Sequence, residues 1–199
     1  MKLMKKAIIF DLYDTLLKIE IKKKPYLYLL EHLIPNTEIT SKDIVNYIMT
    51  NDETALTTIK NMLDGGLLDG AFDTNVFLKH LDSELESTTI ISGSYRVLQE
   101  LKSKYRLFVL SNLSTAYKYP YYKYSLDNWI EKSFFSCECN DKKPNASFFQ
   151  KVIDYSGLQK QDFLMIGDNP ISDVKAANDF GIDARLKDKN LREIVKDLI

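Results

Sequence analysis

The chain has 199 residues, 45% hydrophobic and 28% charged, with 27 Lys and Arg against 28 Asp and Glu. That is enough for one full core plus a smaller accessory module, and a net charge of −1 removes any strong pull toward nucleic acid or an anionic membrane. The apolar stretch behind Lys2, Lys5 and Lys6 is cut off by Asp11, too short for a signal peptide, and no segment is long enough to span a bilayer, so the cytoplasm is the expected location.

The first element is the run Ala7–Phe10, which leads straight into Asp11. A short continuous apolar run reads as a buried strand of a parallel sheet. Ligand sites in such sheets lie beyond the carboxyl ends of the strands, which puts Asp11 where chemistry is done. The stretch from Leu17 to Ile91 reads as helical. Leu30, Leu33 and Ile34 share a face after Pro25, and Pro35 closes that segment. Ser41 is the expected N-cap of a helix carrying Ile44, Val45, Ile48 and Met49. Ala55, Leu56, Ile59 and Leu63 continue the pattern to Gly65 and Gly66, and Thr74 opens a helix with Phe77, Leu81 and Leu85.

From there strands and helices alternate, which implies a parallel sheet with right-handed crossovers. Val97, Leu98 and Leu101 mark a helix before a strand over Leu107–Leu110, which delivers Ser111 and Asn112. Five tyrosines (117, 119, 121, 122 and 124) crowd together with Lys118 and Lys123. Interleaved aromatic and basic residues suit a base-stacking or partner surface, but a half-buried segment beneath the helices is the simpler reading. A short strand is expected over Phe134–Cys137. It would point Cys137 and Cys139 to opposite faces, so the two read as structural thiols rather than a disulfide or a zinc site. Asn145 is placed to cap a helix running to Tyr155, whose first turn beside Lys143 would attract phosphate. A second apolar run, Phe163–Ile166, ends in Gly167-Asp168, and Ile171–Phe180 reads as a helix stopped by Gly181. A strand over Ile182–Leu186 and a helix with Leu191, Ile194, Val195 and Leu198 on one face close the chain. If both acid-tipped strands share one sheet, Asp11, Asp168 and Asp173 meet at one edge. Three crowded carboxylates raise one another's pKa values unless a hard cation such as Mg²⁺ neutralises them.

Four of these segments, in order, resemble the haloacid dehalogenase-like (HAD) hydrolase superfamily: "FDLYDTLL", "LFVLSNLS", "DKKPNASFF" and "MIGDNPISDVKAANDFGI". The resemblance implies a Rossmann-like α/β core, a parallel sheet flanked by helices, over residues 1–16 and 92–199, with a small α-helical cap over residues 17–91. It places Asp11 as nucleophile, Ser111 and Asn112 as phosphate-gripping residues, Lys143 as the motif lysine, Thr15 as a loop-holding hydroxyl, and Mg²⁺ on Asp11, Tyr13, Asp168 and Asp173. The match breaks at position 13. Most phosphatases of the superfamily carry an aspartate there, which protonates the leaving oxygen. Here it is Tyr13, as in the family's dehalogenases, and Asp14 stands beside it. A phenol is a poor substitute for a carboxyl acid, so Tyr13 reads first as a packed aromatic, with Asp14 the alternative acid.

The expected function is a Mg²⁺-dependent phosphatase of a small phosphorylated metabolite, with Asp11 forming an aspartyl-phosphate. The alternatives are a metal-free 2-haloacid dehalogenase, favoured by Tyr13 and opposed by Asp168 with Asp173, and a catalytically weak binding protein on the same fold. No membrane or nucleic-acid partner is expected, and the motifs do not specify an oligomeric state.

Overall fold

Three strand-forming runs are buried on both faces, and they form the middle of a five-stranded, all-parallel sheet. In this computed structural model, which describes residues 4–32, 40–70 and 72–199, the strand order is β5-β4-β1-β6-β7. The strands are β1 (Ala7–Phe10), β4 (Arg106–Ser111), β5 (Lys132–Phe135), β6 (Phe163–Gly167) and β7 (Asp183–Leu186). β1 is central, with Phe10 level with Val109 of β4 and Ile166 of β6. Alternate side chains leave opposite faces of a strand, and the two cores sort accordingly. Ile8, Phe10, Val109 and Ile166 pack under α5 (Ser94–Lys102) and α10 (Leu191–Ile194), while Ala7, Ile9, Phe108 and Met165 pack under α8 (Ala146–Ser156) and α9 (Ala176–Phe180). A fully buried side chain of this size contributes about 1.5–3 kcal/mol, so the strands are held firmly on both sides. Their carboxyl ends then present Asp11, Ser111-Asn112 and Asp168 along one edge.

Residues 17–91 are not helical throughout. The two ends of the stretch pair as an antiparallel ribbon, β2 (Leu17–Ile19) with β3 (Thr88–Ile90), Leu17 lying opposite Ile90. Between them stand α1 (Pro25–Glu31), α2 (Ser41–Thr50), α3 (Ala55–Asp64) and α4 (Thr74–Ser87), which bury their own cluster of Leu29, Ile44, Ile48, Ile59, Met62, Leu68, Phe77 and Leu81. The expected continuation of α1 through Leu33, Ile34 and Pro35 lies outside the described residues. α4 opens at Thr74 as expected, and the cap of α2 lies one residue before its expected place. Thr40, not Ser41, caps α2 in a reciprocal box with Asp43, and Asp73 caps α4 through the Asn75 and Val76 amides. On α3, Ile59 is buried, while Leu56 and Leu63 face outward.

Three later elements also depart from their sequence patterns. β5 ends at Phe135, so Cys137 and Cys139 lie on a single helical turn, α7 (Ser136–Cys139), both as free thiols. Asn145 occupies the N-cap position of α8, but its amide donates to Asp141 Oδ1 at 2.8 Å instead of capping. The stretch Ile171–Phe180 divides into a widened π-turn, Pro170–Lys175, and α9, which stops at Gly181 with φ +97°. The tyrosine-rich segment is a 3₁₀ turn (Thr115–Lys118) followed by α6 (Tyr119–Lys123). Tyr117 and Tyr124 pack partly into the apolar clusters, Tyr121 is buried, and only Tyr119 and Tyr122 stand about half exposed. Both lysines are paired, Lys118 with Asp52 and Glu138 and Lys123 with Glu86. No helix among the described residues is long and apolar enough to cross a membrane.

Candidate active site

Asp11 continues the β1 ladder by donating its N–H to the Ile166 carbonyl at 2.9 Å, so its main chain is fixed to the sheet. Lys143 Nζ donates to Asp11 Oδ1 at 2.7 Å and to Asp173 Oδ1 at 2.6 Å, with all three side chains buried. Asp11, Asp168 and Asp173 each bring a carboxylate oxygen into a group spanning at most 4.8 Å. Burial pushes the Asp11 carboxyl above its ordinary range; the Lys143 charge opposes that rise and Asp173 adds to it. Asp168 is pushed up to about 6 by burial and by the charges of Asp11 and Asp173. Burial works against the Lys143 ammonium, but the two carboxylates outweigh it and hold its pKa above the usual value. Three carboxylates and one ammonium leave a deficit of two positive charges. Hard oxygen donors with that deficit match a small divalent cation such as Mg²⁺.

Asp173 reaches this group because of the widened turn. Both the Asp173 and Val174 amides donate to the Asn169 carbonyl, at 3.1 and 3.2 Å, and such π-turns are frequent at functional sites. Asn169 Oδ1 caps the turn through the Ile171 and Ser172 amides, and its own N–H donates to Asp173 Oδ2 at 3.0 Å. Gly167 is required here for space. A Cβ on it would lie 2.3 Å from Asp173 Oδ2 and 2.6 Å from Asp173 Cβ. Gly167→Ala is therefore expected to push Asp173 out, weakening Mg²⁺ binding by at least about tenfold while the protein stays folded. Isothermal calorimetry checks this, and unchanged affinity refutes it.

The remaining sequence-predicted residues divide. Ser111 ends β4, buried, and Asn112 follows it; the Asn112 side chain bonds the Lys143 main chain through both its amide oxygen and its amide nitrogen. Thr15 is fully buried with its hydroxyl unpartnered, a polar atom left open on the loop that carries Asp11. Tyr13 does not join the carboxylates. Its hydroxyl donates to the Tyr117 carbonyl at 3.0 Å and its ring meets Tyr117 edge-on at 5.7 Å. Burial and the nearby Glu84 charge raise its pKa well beyond the ordinary phenol value. Asp14 lies in the left-handed region (φ +56°), a conformation aspartate tolerates. It faces Lys22 at 3.5 Å and stands outside the carboxylate group.

Two residues with structural roles here carry no motif signal. Ser136 Oγ both accepts from the Leu113 N–H at 2.9 Å and donates to its carbonyl at 3.1 Å, holding the loop after β4. Its only mark is its position directly after the apolar pair ending β5. Glu84, buried on α4, accepts from the Lys24 N–H at 2.6 Å and from the Tyr117 hydroxyl, tying the helices to the segment that Tyr13 touches.

A family model described as "Haloacid dehalogenase-like hydrolase" matches residues 8–186. The chain belongs to the haloacid dehalogenase-like hydrolases. Among curated relatives, it is 32% identical over 117 residues to the Rhythmically expressed gene 2 protein of Drosophila melanogaster, a match covering 53% of this chain and 45% of that protein. The chain thus spans less than half the length of that relative. It is 25% identical over 196 residues to the pyrimidine 5'-nucleotidase PynA of Streptococcus pneumoniae, covering 89% of this chain and 81% of that one. Among solved structures, HAD family enzyme bt-2542 of Bacteroides thetaiotaomicron superposes with a TM-score of 0.74 at 16% identity, over 96% of this chain and 98% of its own. That enzyme has also been solved in complex with magnesium and inorganic phosphate.

Proposed function

We propose that this hydrolase is a Mg²⁺-dependent phosphate-ester hydrolase of a small phosphorylated molecule, with Asp11 as its nucleophile. The observation that carries the reading is a group of three carboxylates, those of Asp11 and Asp173 buried, opposed by the buried Lys143. Such a group repels an anionic haloacid as it stands, and suits a phosphate ester once a divalent cation is present. The bound states of the Bacteroides enzyme and the name of the Streptococcus relative point the same way. Asp11, Asp168 and Asp173 would hold Mg²⁺. The Tyr13 phenol is turned to Tyr117, so only the main-chain carbonyl at position 13 is left to contribute. Bound there, Mg²⁺ supplies charge neutralisation and orients a phosphate oxygen.

An Asp11 carboxylate oxygen attacks phosphorus, and the bond from phosphorus to the ester oxygen breaks. The leaving oxygen takes its proton from solvent, and water then cleaves the aspartyl-phosphate to free phosphate and Asp11. Lys143 keeps Asp11 ionised and aimed. Ser111, at the end of β4, and Thr15, whose buried hydroxyl has no partner, are the residues we assign to phosphate oxygens. Helices α1–α4 are assigned as the cap that excludes water.

No acid is supplied at position 13, and a general acid is worth about 10²–10⁴ in rate. The enzyme is thus expected to turn over aryl and acyl phosphates at least about 10²-fold faster than glycerol phosphate or a pyrimidine nucleoside 5'-monophosphate, whose leaving groups are alkoxides. Turnover of p-nitrophenyl phosphate is expected to vanish in EDTA and return with Mg²⁺. EDTA-resistant turnover overturns the reading, and equal rates on aryl and alkyl esters overturn the role given to Tyr13.

The carboxylates also predict how Mg²⁺ affects stability. Asp168 titrates near 6 in the folded chain and near 3.9 when unfolded, so the folded state binds more protons between these values. Metal-free stability therefore falls as pH rises from about 4 to 6, and the full penalty persists above 6. Mg²⁺ removes that penalty only where the carboxylates are ionised. At a fixed concentration 100 times its Kd at pH 7.5, it is expected to raise Tm by roughly 5–10 °C at pH 7.5, and the same concentration by clearly less at pH 5. Differential scanning calorimetry at the two pH values tests this; an equal shift at both contradicts it.

A further inference from the structure

We infer that Asn112 is a positioning residue for Lys143, acting through the lysine's main chain rather than on a phosphoryl group. The inference deepens the phosphatase reading and rests on it for its kinetic test. Asn112 Oδ1 accepts the Lys143 N–H at 2.8 Å, and Asn112 Nδ2 donates to the Lys143 carbonyl at 2.8 Å. Only one amide orientation makes both bonds, because the flipped amide would set donor against donor and acceptor against acceptor. The pair copies the two-bond pattern of a sheet ladder, so a side chain just past β4 extends the sheet sideways to a loop that has no strand. The next residue, Leu113, is held in the same two-bond fashion by Ser136. Asn112 is therefore anchored from one side while it anchors Lys143 on the other. The lysine side chain then has one reach, and it ends between Asp11 Oδ1 and Asp173 Oδ1. One N–H and one acceptor site of the amide are committed to this task.

This arrangement has a signature that general damage to the fold would not produce. Freeing the loop lets Lys143 leave Asp11 and Asp173, which strips an internal counter-charge from the carboxylates. Mg²⁺ then meets less competition, while the chemistry loses its aimed nucleophile. Asn112→Ala is expected to lower kcat on p-nitrophenyl phosphate by about 10- to 10²-fold, the size of two lost hydrogen bonds, with KM within about twofold. Mg²⁺ affinity, measured by calorimetry on the metal alone, is expected to rise by at least about threefold. Asn112→Asp keeps an acceptor for the N–H but faces the Lys143 carbonyl with a second oxygen, and is expected to lower kcat as well. In a Lys143→Gln background, Asn112→Ala is expected to add nothing, since both changes remove one function.

A raised KM with kcat retained would mean that Asn112 touches substrate, and the proposal fails. It fails equally if kcat and Mg²⁺ affinity fall together, or if the two substitutions multiply. A wild-type enzyme inert on every phosphate ester would sink the phosphatase reading instead. The positioning role is then decided by a crystal structure of Asn112→Ala, which needs neither substrate nor a second variant. Lys143 Nζ displaced from both carboxylates supports it, and Nζ still within about 3 Å of both overturns it.

Discussion

Asp11→Asn is expected to abolish turnover of p-nitrophenyl phosphate by about 10⁴-fold or more, the scale on which a covalent nucleophile is missed. The amide has nearly the shape of the carboxylate and still offers an oxygen to Lys143 Nζ, now 2.7 Å from Asp11 Oδ1. The loss is therefore chemical rather than steric: a neutral amide oxygen does not displace an ester oxygen from phosphorus. A second measurement separates nucleophile from scaffold. Removing one of three mutually repelling carboxylates relieves the strain that raises the Asp11 and Asp168 pKa values. The metal-free variant is thus expected to unfold at a temperature equal to or above that of wild type. It should also bind Mg²⁺ more weakly, because one oxygen donor and one charge are gone. Lost activity together with undiminished metal-free stability is the result that assigns Asp11 to chemistry. Turnover retained within tenfold of wild type would remove it from that role.

The features readable in advance were local. A buried strand declares itself as an apolar run, and an acid directly after it declares the sheet edge, so β1 with Asp11 and β6 with Asp168 could be placed from four or five consecutive residues each. Asp173 was also readable, but the widening that brings it inward was not, because the Asn169 carbonyl accepting two amides is a property of the closed turn rather than of composition. The ribbon β2–β3 was missed for a related reason. Leu17–Ile19 and Thr88–Ile90 are three residues each and pair across some seventy positions of chain, and neither is long enough to show a period of two. Tyr13 was readable as a substitution, whereas its partner, the Tyr117 main-chain carbonyl, lies 104 residues away and has no side-chain signature. Asn112 stood inside a recognisable segment and suggested a phosphate ligand; its actual bonds run to the backbone of a residue 31 positions on. Contacts to a distant main chain leave no trace in residue type, and for that reason the supports of this site were hidden while its charges were plain.

Lys143→Met tests those charges most severely. The ammonium is buried and makes ion pairs at 2.7 and 2.6 Å to two carboxylates that are themselves buried. Deleting one partner of a buried pair leaves uncompensated charge and typically costs about 3–5 kcal/mol. Methionine fills much of the lysine stem's volume, so cavity formation adds little. At pH 7.5 without metal, urea unfolding is expected to show a loss of that size relative to wild type. The loss is expected to shrink near pH 5, where the Asp168 carboxyl, already pushed up to about 6, takes up a proton and lowers the uncompensated charge. Saturating Mg²⁺ is expected to recover much of the stability, because a divalent cation supplies the missing positive charge to the same oxygens. Activity is expected to stay at least about 10²-fold down even then, because the cation cannot also do what the lysine does in aiming Asp11 Oδ1. The dissociation of the two readouts is the point of the experiment. Stability and turnover restored together by Mg²⁺ would reduce Lys143 to a counter-ion, and a metal-free variant as stable as wild type would mean that the carboxylates are not ionised together in the folded chain.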